Sequence, residues 1–297
     1  MAIAVTPITQ QFSKPYLTLA EYKNAPTAID IDNLVFNSTD PDVQDSELTN
    51  VITRASSWID THCNQILSAT TETEQQRCRI SADGTIRFHP NNAPIIAVTN
   101  SEYGTDPNNL TTAQDPSVAW LESQQVIFPI ASFSNAFTSQ GPLAFGFPSN
   151  ARAQVFIKYT YVNGYVNTVL VTATAAQSTL IVINANGITP GQQLKIYDGM
   201  NSENVTVASN YVFGTTTVPL VSPLVYSHAA GVSISALPAA IKEAAILVTT
   251  AMLKTRGDNS MTMAVTSSAS EALPNSQNIS NDMDMAISLL KPYRRIR

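Results

Sequence analysis

Charge is scarce in this chain. Asp, Glu, Lys and Arg together make up 13% of its 297 residues, about half the share of an average soluble protein. The formal net charge of −6 lacks the basic footprint of a nucleic-acid binder. Ser, Thr, Asn and Gln carry the polarity instead. That suits a β-rich protein whose faces meet neighbours, because uncharged polar surfaces associate without desolvating ions. Cysteine is rarer still, with only Cys63 and Cys78. The opening Met1-Ala2-Ile3-Ala4-Val5-Thr6-Pro7 has neither the basic segment nor the apolar run of a secretion signal. No run approaches the roughly 20 apolar residues of a membrane span. The chain is therefore expected in a cytoplasm-like compartment, with both cysteines as thiols.

Catalytic signatures are missing as well. There is no Gly-x-Ser-x-Gly, no His-Glu-x-x-His and no phosphate-binding Gly-rich loop, so no enzymatic activity is expected. His62 and His89 lie in the same stretch as the cysteines, but close spacing exists only in the adjacent His62-Cys63. No metal site and no cofactor is expected from that pattern. His228, in Tyr226-Ser227-His228-Ala229-Ala230-Gly231, reads as a turn residue rather than a base. Asp282 and Asp284 sit two apart, point to different sides of a helix and read as solvated surface.

What the chain does have is a long amphipathic segment. Over residues 45–66, Leu48, Val51, Ile52, Ala55, Ile59 and Ile66 recur at helical spacing. Asp45 or Ser46 is the expected cap, and Glu47, Asn50, Arg54, Ser57, Asp60 and Asn64 form the wet face. Such a helix needs apolar partners to be stable. One is Leu237 to Val248 and beyond, where Ile241, Ala244, Ala245, Val248 and Met252 make a stripe. Pro238 suits its first turn and Gly257 its C-terminal cap. Earlier, Leu17-Thr18-Leu19-Ala20-Glu21-Tyr22-Lys23 has capping-box spacing at Thr18 and Glu21, and staple spacing at Leu17 and Tyr22. Residues 24–44 read mostly as loop, and the polar run 68–76 is undecided.

Strands are expected from 77 to 165. Cys78-Arg79-Ile80 and Thr85-Ile86-Arg87-Phe88 flank Asp83-Gly84, a hairpin signal, and Gln154 to Tyr161 is the clearest strand. Residues 131–150 read as a long loop whose Phe133, Phe137, Phe145 and Phe147 are either core or plugs for a partner. Residues 166–236 change character. Their charged side chains are only Lys195, Asp198 and Glu203, and short β-branched runs alternate with Asn186-Gly187, Pro190-Gly191 and Asp198-Gly199. That pattern predicts a small barrel or sandwich.

The order of these pieces carries a resemblance. A capped Leu17 to Lys23 precedes a helix with Ala55-Ser56-x-Trp58-Ile59-Asp60; strands then end at Val162-Asn163-Gly164-Tyr165, and Pro238-x-x-Ile241-x-x-Ala244 opens the next helix. The chain resembles the head–tail connector, or adaptor, proteins of long-tailed bacteriophages. The resemblance spans about residues 17–165 and 237–256. In that family the Gly-Tyr strand end runs almost directly into the Pro-led helix, so residues 166–236 read as an insertion. The implied fold is α+β: a helical bundle core with a β-sheet region (1–165 and 237–256), an inserted all-β domain (166–236), and a C-terminal linker and extended arm (257–297). The implied function is structural. A dodecameric homo-oligomeric ring would sit beneath the portal protein in the virion neck, meet the stopper or tail protein, and lengthen the DNA channel, touching viral DNA only transiently and non-specifically. It would have no membrane partner and would assemble in the host cytoplasm.

The expected portal anchor is the C-terminal arm. Residues 258–278 read as a polar linker, and 280–291 as a short helix. Met283, Ile287 and Leu290, with Tyr293, Arg294, Arg295 and Arg297 behind them, are the candidate contacts. In the alternative the helix folds back on its own subunit and the arginines are solvated. Two other functions compete with the connector. One is a carbohydrate-binding or adhesin-like β protein with Trp120 and Tyr211 exposed; the other is a stopper or terminator elsewhere in the tail.

Overall fold

A computed structural model of the chain describes residues 14–27, 29–35, 38–81, 84–110, 112–122, 125–129, 154–256 and 274–295. The chain divides into two compact units. One comprises Met1–Ser68, Asn167–Asn184 and Thr189–Arg297, the other Ala69–Val166 with Ala185–Ile188.

The Ala69–Val166 unit is made of strands. A sheet of order β1-β7-β3-β4 is built from β1 (Thr70–Arg79), β3 (Ile95–Gly104), β4 (Thr112–Gln114) and β7 (Gln154–Asn163). A second sheet, β2-β6-β5, comes from β2 (Thr85–Phe88), β5 (Trp120–Glu122) and β6 (Gln125–Pro129). β1 and β7 pair antiparallel over their whole lengths, from Thr70 opposite Asn163 to Arg79 opposite Gln154. The two sheets share one core of Ile80, Ile86, Phe88, Val126, Phe128, Val155, Ile157, Tyr159 and Tyr161. Ring contacts run through it, Phe88 to Tyr159 at 4.1 Å and Tyr159 to Tyr161 at 5.5 Å, arrangements that add to simple area burial. Gly187 closes this unit at φ +83, and a Cβ there would stand 2.7 Å from that of Ala69. Only glycine fits both the backbone angle and the space.

The other unit holds all four described helices. α1 (Leu19–Lys23) starts with the anticipated capping box, Thr18 and Glu21 each bonding the other's backbone N–H. α2 spans Pro41–Cys63, starting four residues before the expected stretch. Asp40 is its cap and accepts the N–H of Asp42; Pro41 fits the first helical position because its missing N–H would have no partner there. The helix ends at Asn64 in the left-handed conformation. Leu48, Val51, Ile52, Ala55 and Ile59 are buried as the spacing requires. Asp60, assigned to the wet face, is buried instead and accepts the hydroxyl of Tyr16.

Six short strands follow in this unit. β8 (Asn167–Val169), β10 (Gln193–Tyr197), β11 (Glu203–Thr206) and β13 (Ser233–Ser235) form a sheet of order β11-β10-β13-β8, while β9 (Thr179–Ile181) and β12 (Thr217–Pro219) form a two-stranded ribbon. α3 (Ala239–Arg256) and α4 (Pro274–Leu290) complete it. α3 packs against both α2 and α4. No helix among the described residues is long and apolar enough to cross a membrane.

A helical bundle core was the expectation, and the structure corrects it. Among the described residues the protein is mostly β-sheet, with four sheets, 33% strand and four helices. The helical segments are long and periodic, so each announces itself. Most strands are three to five residues long and carry little period-2 signal singly, so their number is hard to read from the sequence.

Candidate functional site

Two segments that carried the family resemblance, the one around α1 and helix α3, meet at one ion pair. The capping box of α1 uses one oxygen of Glu21, whose Oε2 accepts the Thr18 N–H at 2.6 Å. The other oxygen, Oε1, accepts from Lys242 Nζ on α3 at 2.5 Å. The Lys242 ammonium lies 4.1 Å from the centre of the Tyr197 ring and 3.4 Å from Ser233 Oγ. Only 6% of Lys242 is exposed. Burial lowers the pKa of its amine, and the Glu21 charge opposes that shift. One residue on, the Tyr22 hydroxyl lies 3.0 Å from Thr250 Oγ1 of α3. On the α2 side, Tyr16 donates its N–H to Ser56 and its hydroxyl to Asp60, and accepts the Leu67 N–H. The stretch from Tyr16 to Tyr22 is thus fastened to α2 and α3 by buried polar contacts.

Beside this pair opens a cavity of about 540 Å³, with Leu17, Leu19, Pro26, Tyr197, Val232 and Ile246 among its walls. Its size is that of a ligand or side-chain pocket. Both Glu21 oxygens and the Lys242 ammonium are already engaged, so the cavity offers mainly apolar contact.

The arm residues are placed as follows. Leu290 is fully buried within the chain itself, as is Ala286. Met283 is half-buried, Ile287 and Arg294 are exposed, and Tyr293 and Arg295 are partly covered. Lys254 and Asp282 join α3 to α4 at 2.7 Å. Beyond α4, the Arg295 N–H bonds the Cys63 carbonyl at 2.9 Å, Asn64 Nδ2 donates to the Arg295 carbonyl and Gln65 Nε2 to that of Tyr293. The basic end therefore lies on the C-terminus of α2, where the helix dipole favours cations. Helix α4 begins at Pro274, inside the segment expected as linker. Arg297, Phe133, Phe137, Phe145 and Phe147 lie outside the described residues.

Of the two aromatics expected at the surface, Trp120 is 45% exposed, whereas Tyr211 is buried and its hydroxyl donates to the Thr215 carbonyl. Cys63 and Cys78 are free and buried; burial pushes their thiols up to about 12 and about 11, which leaves them inert as nucleophiles. Among the described residues, no group of three His, Cys, Asp or Glu could hold a metal ion.

Sequence reasoning missed two clusters. Lys242 was passed over on a helix read only for its apolar stripe. His228, read only as a turn residue, is buried between Asp198 and Glu203. The signal was there: those two are the only acids between 166 and 236. Comparison of the chain with protein-family models, with curated proteins and with solved structures finds no match in any of the three.

Proposed function

We propose that this chain is a structural subunit of a bacteriophage neck, a connector that assembles as a ring beneath the portal and lengthens the DNA channel. The reading rests on the order of segments described above, and one observation supports it most. The capped segment around α1, helix α2 and the Pro-led helix α3 are brought together by Glu21–Lys242, Tyr22–Thr250 and the buried stripes of the helices. Those segments lie far apart in the chain, and their meeting gives the shared motifs a common structural job. The low charge agrees with a subunit whose faces are covered by copies of itself. With Leu290 committed to its own core, any portal contact by the arm falls to Ile287, Met283 and Arg294, with Tyr293 and Arg295 partly available. No catalysis is ascribed to it.

The test is assembly. Purified chain mixed with portal rings is expected to give a stable complex with many copies of this subunit in one ring, seen by negative-stain imaging. Absence of any complex, with the portal itself intact, overturns the reading. Exposed Trp120 favours one competitor, a glycan-binding protein. Defined affinity for an oligosaccharide, lost on Trp120→Ala, would establish it instead.

A further inference from the structure

His228 holds an unusual position for a residue with few charged neighbours in sequence. Its side chain is buried, with Nδ1 2.8 Å from Asp198 Oδ2 and Nε2 2.9 Å from Glu203 Oε1. Its backbone is fixed too, since His228 and Ala173 exchange N–H to carbonyl bonds at 2.8 and 3.1 Å. Glu203 accepts two further bonds, from the N–H groups of Val225 at 3.0 Å and Tyr226 at 3.1 Å. Asp198 leads the turn Gly199–Asn201, closed by Ser202 through the Asp198 N–H and the Gly199 carbonyl.

We infer that His228, Asp198 and Glu203 form a proton-held clamp joining the 198–203 turn to the 225–228 stretch. A neutral imidazole has one N–H, and an ionised carboxylate can only accept. Two ring-to-carboxylate bonds therefore need a proton on each ring nitrogen. When one leaves, a nitrogen lone pair faces a carboxylate and that contact is lost. Burial raises the pKa of the Glu203 carboxyl, but the Val225 N–H, the His228 ring and the Tyr226 N–H together bring it below the usual range. Other titratable groups on the surrounding elements are Tyr226, two residues away, and Lys195 and Tyr197 on β10, with the Lys195 ammonium 5.0 Å from the Tyr197 ring.

The segments the clamp joins carry exposed apolar side chains. Met200, at the tip of the turn, is 99% exposed; Val225 is 67% and Tyr226 41% exposed. The inference does not depend on the connector reading.

The test uses the full chain. It has three histidines, so ring nitrogen signals are separable by NMR, with His228→Gln assigning one set and Glu203→Gln as a second, charge-only variant. The His228 signals are expected to be those of a ring with an N–H on both nitrogens. In His228→Gln, exchange of the Val225 and Tyr226 amides, corrected for intrinsic rates, should accelerate by about tenfold or more relative to the unaltered chain. Glu203→Gln should accelerate it as well. A ring with one bare nitrogen, or protection of Val225 and Tyr226 unchanged in both variants, overturns the clamp.

Discussion

Glu21 and Lys242 are the clearest example of what single residues contribute here. With both side chains almost out of water, removing one partner strands a charge on the other. Lys242→Ala is expected to cost roughly 3 kcal/mol of unfolding free energy, and Lys242→Met with Glu21→Gln distinctly less. Urea unfolding of the three proteins measures this; a loss under about 1 kcal/mol for Lys242→Ala would show the pair to be solvated. The capping role of Glu21 was legible from its spacing to Thr18. Its partner, 221 residues away, was not, because no local rule links them. Tyrosines give a pH prediction. Burial, then the charge of a neighbouring carboxylate or a bond to it, raises the hydroxyl pKa of Tyr16 (Asp60) and of Tyr159 and Tyr161 (both on Glu74). Above about pH 10, where an unfolded tyrosine ionises, the folded chain holds more protons than the unfolded one. Stability is thus complete below that pH and falls as pH rises beyond it. Absorbance titration should show these hydroxyls ionising only with unfolding, and normal ionisation in a still-folded chain would contradict the buried assignment.

At the scale of elements, helices were legible where apolar period and caps agree, as in α1 and the middle of α2. Their edges were less so. Asp40-Pro41 is a proper start, but stronger apolar periodicity further on drew the boundary to residue 45. β1 was unreadable for a different reason. Thr70 to Arg79 is polar on both faces, and its strand state comes from pairing with β7, including Glu74, which accepts the hydroxyls of Tyr159 and Tyr161. Within the 166–236 block the expected strands and turns largely appear, while β13 was overlooked because Ser233-Ile234-Ser235 is too short to show a pattern. Two outcomes test the helical packing. Ile52→Asp puts an unpaired charge into the buried α2 stripe and should cost more than about 3 kcal/mol, abolishing the cooperative melt at physiological temperature. Ending the chain after Gly257 removes α4, whose Ala286 and Leu290 are fully buried. The shortened protein should melt well below the full one, and an unchanged melting temperature would mean α4 is only loosely held.

At the scale of the whole molecule, the low charge of the sequence and the mostly β architecture of the described residues are compatible with the proposed assembly. The helical pieces that suggested a connector are a minority of the fold, so the proposal stands on their arrangement rather than on their share. The most direct measurement is native mass spectrometry of the purified full chain, alone and with isolated portal rings. The account predicts a small species by itself and a single discrete multi-copy ring bound to the portal. A chain that stays monomeric and leaves the portal mass unchanged would contradict it.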